Sequence, residues 1–337
     1  MSERAQGRVT ADQGGQTLAA VVRALLGGVS WNRTRRIVQR GRVQLDGQTI
    51  TDPARRVQAG QTLAVAAQAL RPRDPEIVLL HVDPDLVVVD KPAGLCSVPY
   101  DASERDTLLH RTHAALRRRE GGRHLPPLRV VQRLDKDTSG VLVFARNRRA
   151  ERGLGEQFRR HTVERRYLGL CYGLACATTH DTWLVTNAGG GRRGSVRGSG
   201  PRPGHARRAV THVTVRGSFR ARGLAWTGEG EIPGISIVAC TLETGRQHQI
   251  RIHLGEDGTP LVGERVYDRH YHGPRLQTHI QGRGRPMLHA ATLGFVHPTR
   301  DLGLRFESDL PSDFADLLRD LGARTAGSTA DGPRESA

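Results

Sequence analysis

The chain has 337 residues, of which 37% are hydrophobic and 25% charged, as is typical of a soluble globular protein with one large domain or a large and a small one. Its apolar runs are far shorter than the roughly 20 residues that cross a membrane. The N-terminus lacks the apolar core of a secretory signal, so we expect a cytoplasmic protein without a membrane partner. The net charge of +17 favours a polyanion, and nucleic acid is the expected partner.

The first predicted folded unit covers residues 15–65 and follows a polar segment, residues 1–14, that we expect to be disordered. LAAVVRALL has apolar residues at helical spacing, and SWNRTRRIVQRG predicts a second helix that begins after Ser30 and stops at Gly41. RVQLDGQTI then predicts a hairpin of two short strands about Asp46-Gly47.

This arrangement of two helices and a hairpin resembles the S4-like RNA-binding domain. The matching residues are Ser30, Arg33, Arg36, Ile37, Gly41, Val43, Gly47, Val57 and Gly60. The resemblance implies that arginines of the second helix bind an RNA backbone, and the candidates are Arg33, Arg35, Arg36 and Arg40. The alternative is an ordinary solvated helix face.

A linker, residues 66–76, precedes a strand-rich region, residues 77–321, and a polar tail, residues 322–337, that we expect to be disordered. The predicted strands are EIVLLHVD, LVVVDKP, RVVQRLD, GVLVFAR, RRYLGLCYG, RRAVTHVTV, ISIVACTLET, LHAATLGFVHP and LGLRFES. Helical patterns cover residues 108–118, 149–160, 247–254 and 311–321. Because strands outnumber helices without regular alternation, we predict an α+β fold around a mainly antiparallel mixed sheet, preceded by a small α/β RNA-binding domain.

A basic, glycine-rich segment, residues 189–208, interrupts this pattern. Sequence alone leaves open whether it is an RNA contact or a disordered insert.

The motifs that would indicate a metal or a nucleotide cofactor are missing. The chain contains no HExxH, no Cys/His pairs at zinc spacing, no Walker phosphate loop and no GxGxxG after a strand. We therefore predict neither a metal nor any other cofactor, and expect acid, base and nucleophile chemistry by side chains.

The stretch VVQRLDKDTSGVLVFARN places four charges between apolar runs. Asp135 and Asp137 are candidates for chemistry there, and a turn-forming aspartate is the alternative. The stretch looks like the HRLDxxTSG signature of the RluA/RluD-type pseudouridine synthases, with Gln132 where that family usually has His. Further stretches agree in kind and order, namely DKPAGL, RRYLGLCYG, ETGRQHQIRIHL, GTPLVGERVY and MLHAATLGFVHP.

The resemblance implies isomerisation of uridine to pseudouridine in structured RNA. The bond from ribose to the base nitrogen breaks, the uracil rotates, and a carbon rejoins the sugar. Asp135 would be the nucleophile, Arg246 the cation that keeps it ionised, and Tyr167 the ring that packs on the uracil and takes a proton. The alternatives are a phosphate-binding arginine for Arg246 and a core tyrosine for Tyr167.

Four further residues are predicted to bind the substrate. Arg133 would fill the space that an extruded base leaves, or else neutralise Asp137. Lys91 would contact phosphate or brace the catalytic loop, and Ile250, or Ile252 in its place, would form an apolar wall. Arg251 would pack and hydrogen-bond around the site.

These features predict a monomeric enzyme that acts on large-subunit ribosomal RNA in preference to transfer RNA. The alternatives are a transfer-RNA pseudouridine synthase and a non-catalytic RNA-binding or ribosome-assembly protein on the same fold.

Overall fold

The structure is a computed structural model. It describes residues 5–50, 52–66, 77–101, 104, 106–122, 124–189, 191–196, 203–220, 226–227, 234–276 and 284–322. The chain divides into two compact units, Met1–Glu76 and Ile77–Ala337. Most of the predicted linker and of the C-terminal tail, residues 67–76 and 323–337, lies outside the described residues.

The first unit packs two helices on a small antiparallel sheet. Its elements are β1 (Ala5–Arg8), α1 (Leu18–Leu25), α2 (Trp31–Gln39), β2 (Val43–Leu45), β3 (Gln48–Ile50) and β4 (Thr62–Val65). The strand order is β1-β4-β2-β3. Thr17 and Ser30 cap the two helices, their side chains accepting from the backbone N–H of Ala20 and Arg33. The predicted helices and hairpin are therefore present.

The expectation that residues 1–14 are disordered is wrong for residues 5–14. Ala5–Arg8 pairs with β4, residue for residue from Ala5 opposite Val65. Val9 is buried in the core of this unit. Strand β1 pairs with the backbone N–H and C=O groups on the edge of β4 opposite to β2. A polar sequence can form such an edge strand, because an edge strand needs only one buried face. Residues 1–4 lie outside the described part.

The four arginines predicted to bind RNA lie on the exposed side of α2. Arg33, Arg35, Arg36 and Arg40 are all exposed, whereas the opposite face buries Thr34, Ile37 and Val38. This placement leaves their charges at the surface, so the phosphate contact stays a prediction.

The second unit is built on one large sheet. Its elements are β5 (Val78–Val82), β6 (Leu86–Lys91), α3 (Leu108–Arg119), β7 (Arg129–Val130), β8 (Ser139–Ala145), α4 (Arg148–Arg159), β9 (Glu164–Tyr172), β10 (Thr178–Val185), β11 (Gly194–Ser195), β12 (Arg207–Arg220), β13 (Trp226–Thr227), β14 (Gly234–Leu242), α5 (Gln249–Glu256), β15 (Arg275–Leu276), β16 (Leu288–Val296), β17 (Gly303–Glu307) and α6 (Ser312–Asp320). The order in the sheet is β11-β10-β12-β14-β9-β16-β8-β6-β5, with β17 on β16 and β7 on β8.

The sheet is mixed and mainly antiparallel, as predicted. Within the described residues, β8 and β16 run parallel, with Ser139 opposite His289 and Gly140 opposite Ala290. The α+β class is confirmed. Strand β10 was not predicted, because TTHDTWLV is polar and lacks a clear apolar alternation. The predicted strand RVVQRLD is cut to Arg129–Val130, and the rest is loop.

Both faces of the central strands are covered, which explains their continuous apolar runs. On β6, Val87 and Val89 pack toward α3, in a cluster that also holds Leu108 and Leu116. Leu86 and Val88 pack on the other face, in a cluster with Ala150 and Leu154 of α4. This double layer holds the start of β8, and with it the loop that carries Asp135, at the junction with β16.

The described parts of the basic segment, residues 189–208, include strand residues. Gly194–Ser195 pairs with β10, and β12 begins at Arg207. Residues 190 and 197–202 lie outside the described part. None of the helices described is long and apolar enough to span a membrane.

Candidate active site

The loop that carries Asp135 is fixed by hydrogen bonds from three separate segments. Ser97 Oγ donates to the Leu134 carbonyl at 2.7 Å and accepts from the Leu134 N–H at 3.0 Å. Lys91 Nζ donates to the Lys136 carbonyl at 2.8 Å. Arg285 Nη1 donates to the Asp137 carbonyl at 3.1 Å. The backbone on either side of Asp135 is thus held in place before any substrate binds.

Lys91 braces this loop and does not contact solvent. Its side chain is fully buried, and Nζ also donates to the Pro92 carbonyl at 2.9 Å. Burial lowers the pKa of Lys91 to about 7, although the nearby carboxylates of Asp137 and Asp135 act to raise it. The prediction that Lys91 binds substrate is wrong, because a buried amine cannot reach a phosphate. Its alternative, the brace, is what the structure shows.

Asp135 is itself partly exposed and lies between two nitrogen-bearing side chains. Its side chain has 23% of its surface exposed. Oδ1 lies 3.8 Å from His248 Nε2, and Oδ2 lies 3.7 Å from Arg251 Nη1. A carboxylate in this setting is reachable by substrate and has a cation beside it.

A buried carboxylate fixes Arg251 in that position. Arg251 Nε and Nη2 donate to the two oxygens of Glu264 at 2.7 Å and 2.9 Å. Glu264 also accepts from the backbone N–H groups of Arg265 and Val266. Burial acts to raise the pKa of Glu264, but the hydrogen bond and the charge of Arg251, together with the two backbone N–H groups, outweigh it and the pKa is lowered. Arg251 is therefore held in a bidentate pair with one nitrogen left to face Asp135.

His248 is the second neighbour of Asp135 and begins helix α5. Its backbone is left-handed, with φ of 60°, a conformation that costs a non-glycine residue energy and that often occurs at functional sites. Its Nδ1 lies 2.7 Å from the Tyr267 hydroxyl. When Tyr267 donates to Nδ1, the Nε2 proton faces Asp135. Burial lowers the pKa of His248, although Asp135 acts to raise it, so the ring is neutral at pH 7.

Tyr167 lies beside Asp135 on β9. It is partly buried and packs against two core clusters, one containing Leu134 and the other Ile250. Burial raises the pKa of Tyr167 to about 12, and the negative charge of Asp135 adds to the shift while Arg165 opposes it. The phenol therefore keeps its proton at neutral pH.

Three side chains of the described residues are close enough to hold a metal ion, and they lie apart from this site. These are Asp83, Asp85 and His297, at the turn between β5 and β6 and the end of β16. Asp83 already accepts from His81 at 3.0 Å, from His297 at 2.9 Å and from two backbone N–H groups. Its carboxylate is thus occupied in fixing the turn.

Comparisons with known proteins decide the family. Residues 85–256 match the profile described as RNA pseudouridylate synthase, and residues 16–63 match the S4 domain. This chain belongs to the RNA pseudouridylate synthase family. It is 33% identical over 93% of its length to the ribosomal large subunit pseudouridine synthase D of Xanthomonas campestris pv. campestris, covering 92% of that protein.

Other relatives agree. The chain is 32% identical to the uncharacterized RNA pseudouridine synthase YlyB of Bacillus subtilis, over 86% of this chain and 90% of that one. Among solved structures, human RNA pseudouridylate synthase domain containing 4 superposes with a TM-score of 0.54 at 24% identity, covering 73% of this chain and 93% of that one. The last comparison supports the fold alone.

In the structure of this synthase, the arginine beside Asp135 is not the predicted Arg246. Arg246 is exposed, and its Nε donates to the Arg208 carbonyl at 2.9 Å. The Gln249 side chain accepts from the Arg246 N–H at 3.0 Å, which turns the segment before α5 toward β12. Arg251, on the helix itself, reaches Asp135 instead. The assignment of Arg246 as the partner cation is therefore wrong.

The structure also separates the two isoleucines proposed for the apolar wall. Ile250 belongs to the cluster against which Tyr167 packs. Ile252 packs in a different cluster, with Leu184, Ala209 and Tyr267. Ile250 is thus the one beside the site. Arg133 is exposed on the catalytic loop, where its contact with RNA stays a prediction.

Sequence reasoning missed four residues of the site, one of which is Ser97, which exchanges two hydrogen bonds with Leu134. Glu264 and Tyr267 lie in GERVY, which was matched to the family without any role. Arg285 is nearly fully buried and pairs with Asp313 of α6 at 2.7 Å and 2.8 Å. The signal for Glu264 was present, since an acidic residue in an apolar motif requires a buried partner. Arg285 lies in a run of arginines and glycines that carries no such signal.

Proposed function

We propose that this synthase converts uridine to pseudouridine in large-subunit ribosomal RNA, with Asp135 as the nucleophile. The observation that carries the proposal is a partly exposed carboxylate on a loop braced from three sides, with a guanidinium held beside it by a buried glutamate. The relatives named ribosomal large subunit pseudouridine synthase D support the choice of RNA.

The proposed reaction uses each group for one task. Asp135 adds to the anomeric carbon, or assists departure of the uracil, and leaves again as the bond from that carbon to C5 forms. Arg251 stabilises the ionised Asp135, since its charge is fixed and it cannot lose its proton. C5 loses a proton and the released ring nitrogen gains one, so the product is an isomer of the substrate.

Tyr167 and Ile250 are proposed to hold the uracil while it turns. A flat ring and an apolar side chain allow rotation of a base between them better than fixed hydrogen bonds would. With a pKa of about 12, Tyr167 acts here as a packing surface and hydrogen-bond donor; proton removal from C5 by this phenol would require the bound base to lower that pKa.

We further propose that the S4-like unit binds the same RNA through the four exposed arginines of α2, and that the enzyme works in the cytoplasm as a monomer. We propose no membrane partner.

The deciding experiment uses an unmodified transcript of large-subunit ribosomal RNA and, in parallel, unmodified transfer RNA. The wild type should form pseudouridine in the ribosomal transcript, and Asp135→Asn should form none while it binds RNA with nearly unchanged affinity. Asp137→Asn serves as the matched control and should retain activity. Equal product from wild type and Asp135→Asn contradicts the nucleophile, and product in transfer RNA alone contradicts the choice of RNA.

A further inference from the structure

Tyr100 is the feature of the second unit that folding does not explain. Its side chain is 96% exposed, more than any other large apolar side chain in the described residues. The ring therefore contributes nothing to the core. A tyrosine ring left open to water is available to stack on an aromatic partner.

The backbone that carries this ring is nevertheless held in place. The Tyr100 N–H donates to Glu104 Oε2 at 2.8 Å. The carbonyls of Cys96 and Ser97 accept from the N–H groups of Leu108 and Leu109, at the start of α3. Pro99 directly precedes Tyr100, and its ring fixes the backbone angle φ at that position. The ring is thus displayed from an ordered loop, which reduces the entropy lost when a partner binds.

The same loop is bonded directly to the catalytic loop. Ser97 exchanges two hydrogen bonds with Leu134, the residue before Asp135. Tyr100 follows Ser97 by three residues, so its Cα lies at most about 11 Å from that of Ser97. A ring within that distance of the catalytic loop can meet a nucleotide near the one at Asp135.

We propose that Tyr100 is a stacking platform for an unpaired base that flanks the target uridine in the RNA substrate. The inference rests on the proposed function only in that the ligand is RNA. Every base has a π-face, and exposed aromatic side chains bind unstacked bases of single-stranded RNA in this way.

The charges on the adjoining catalytic loop favour RNA as the occupant. Arg133 and Lys136 are exposed on the adjoining catalytic loop. Asp101 follows Tyr100 in the chain, and Glu104 accepts the hydrogen bond from its backbone N–H. Phosphates are attracted to Arg133 and Lys136 and repelled by the two acidic residues. An RNA strand whose phosphates contact Arg133 and Lys136 can therefore place one base on Tyr100.

The kinetic test compares Tyr100→Ala, Tyr100→Phe and the control Leu302→Ala with wild type on the unmodified ribosomal transcript. Leu302 is also exposed, at 50%, and lies in the turn before β17. Tyr100→Ala should raise KM on the order of 10-fold, the scale of one lost base stack, and change kcat less than twofold. Tyr100→Phe and Leu302→Ala should match wild type. A Tyr100→Ala enzyme with the KM of Leu302→Ala overturns the proposal.

A direct measurement of contact uses Tyr100→Trp, with Leu302→Trp as its control. Addition of the transcript should quench the fluorescence of the new tryptophan at position 100, relative to wild type, because a stacked base quenches the indole that it covers. The fluorescence of the tryptophan at position 302 should not change. Equal responses at the two positions contradict stacking. Loss of affinity in Tyr100→Phe as large as in Tyr100→Ala also contradicts it, since that result assigns the contact to the hydroxyl.

The two proposals fail in distinguishable ways. Absence of pseudouridine in the transcript with wild type overturns the proposed target, while the affinity and fluorescence titrations with the same RNA still decide the role of Tyr100. Because Tyr100 is outside the core, all of its variants should keep the unfolding temperature of wild type, and a lowered temperature would show that the ring supports the fold instead.

Discussion

At the scale of single residues, both oxygens of Asp135 face groups that one short segment positions. Glu264 holds Arg251, and Tyr267 holds His248. The ring of Tyr267 also lies under the Arg251 guanidinium, at 5.3 Å. The surroundings of Asp135 are thus built by residues 264–267, far from it along the chain.

This arrangement predicts that a conservative substitution lowers activity at Arg251 and leaves it nearly unchanged at Arg246. Arg251→Lys keeps the charge but loses the bidentate geometry with Glu264, so kcat for pseudouridine formation should fall at least about 10-fold. Arg246→Lys is the matched control and should leave kcat within about twofold of wild type, because the Arg246 side chain donates to a backbone carbonyl on β12 and does not pair with Asp135 in the described structure. Single-turnover assays at saturating RNA measure both. A larger loss in Arg246→Lys would restore the sequence-based assignment.

Lys91 gives a prediction about pH and stability. Its pKa is about 7 in the folded protein and near 10.5 in the unfolded chain, so the unfolded chain holds more protons between these values. The free energy of unfolding therefore rises with pH across this window, as far as Lys91 contributes. The neutral amine keeps two N–H groups for its two carbonyl partners.

The measurement is the difference in unfolding free energy between wild type and Lys91→Met, from urea titrations at pH 7 and pH 10. Relative to the variant, wild type should gain stability by an amount on the order of a few kcal/mol. Other titrating groups cancel in the difference. A difference independent of pH would show that Lys91 stays charged in the folded state.

At the scale of elements, the decisive contact is the parallel junction of β8 and β16. Gly140 has φ of 114°, and a Cβ there would lie 2.1 Å from the Ala290 carbonyl oxygen. This close approach sets the start of β8 directly after the catalytic loop. Packing therefore requires the glycine of the TSG motif, Gly140, at this position.

Substitution of this glycine should therefore damage both stability and activity. Gly140→Ala should destabilise the protein by several kcal/mol or prevent folding, since both φ and the available space oppose a side chain. Gly155→Ala, at a half-buried position of α4 where an added Cβ would have nothing within 4 Å, is the control and should be neutral or slightly stabilising. Thermal unfolding of both variants measures this. Equal unfolding temperatures would contradict the close contact.

At the scale of the whole molecule, the charge of +17 is spread over two units, and in the first of them a group of arginines lies on one helix. Such charges act on RNA mainly through counterion release, so their effect is on affinity and its salt dependence. The chemistry at Asp135 should be independent of them once RNA is bound.

The double change Arg33→Gln and Arg36→Gln should therefore weaken RNA binding and reduce the slope of log K against log salt by up to about two, one for each lost phosphate contact. The control, Arg300→Gln with Arg319→Gln, removes equal charge from the second unit and should change the slope less. Both enzymes should keep the kcat of wild type. Binding isotherms at several salt concentrations decide this, and equal slopes would remove α2 from the RNA contact.

The sequence by itself determined the family, the α+β class and the helices of both units, and it singled out Asp135, whose role as the nucleophile stays a proposal. These follow from local patterns, because an apolar period or a contiguous motif is complete within about twenty residues. The tertiary structure alone decided that Arg251 and not Arg246 faces Asp135, that Lys91 is a brace, and that residues 5–8 join a sheet. Each depends on a partner distant in sequence, such as Arg285, which reaches the catalytic loop from 148 residues away. Spacing along the chain does not determine which of the two arginines, Arg246 or Arg251, faces Asp135 in the folded protein.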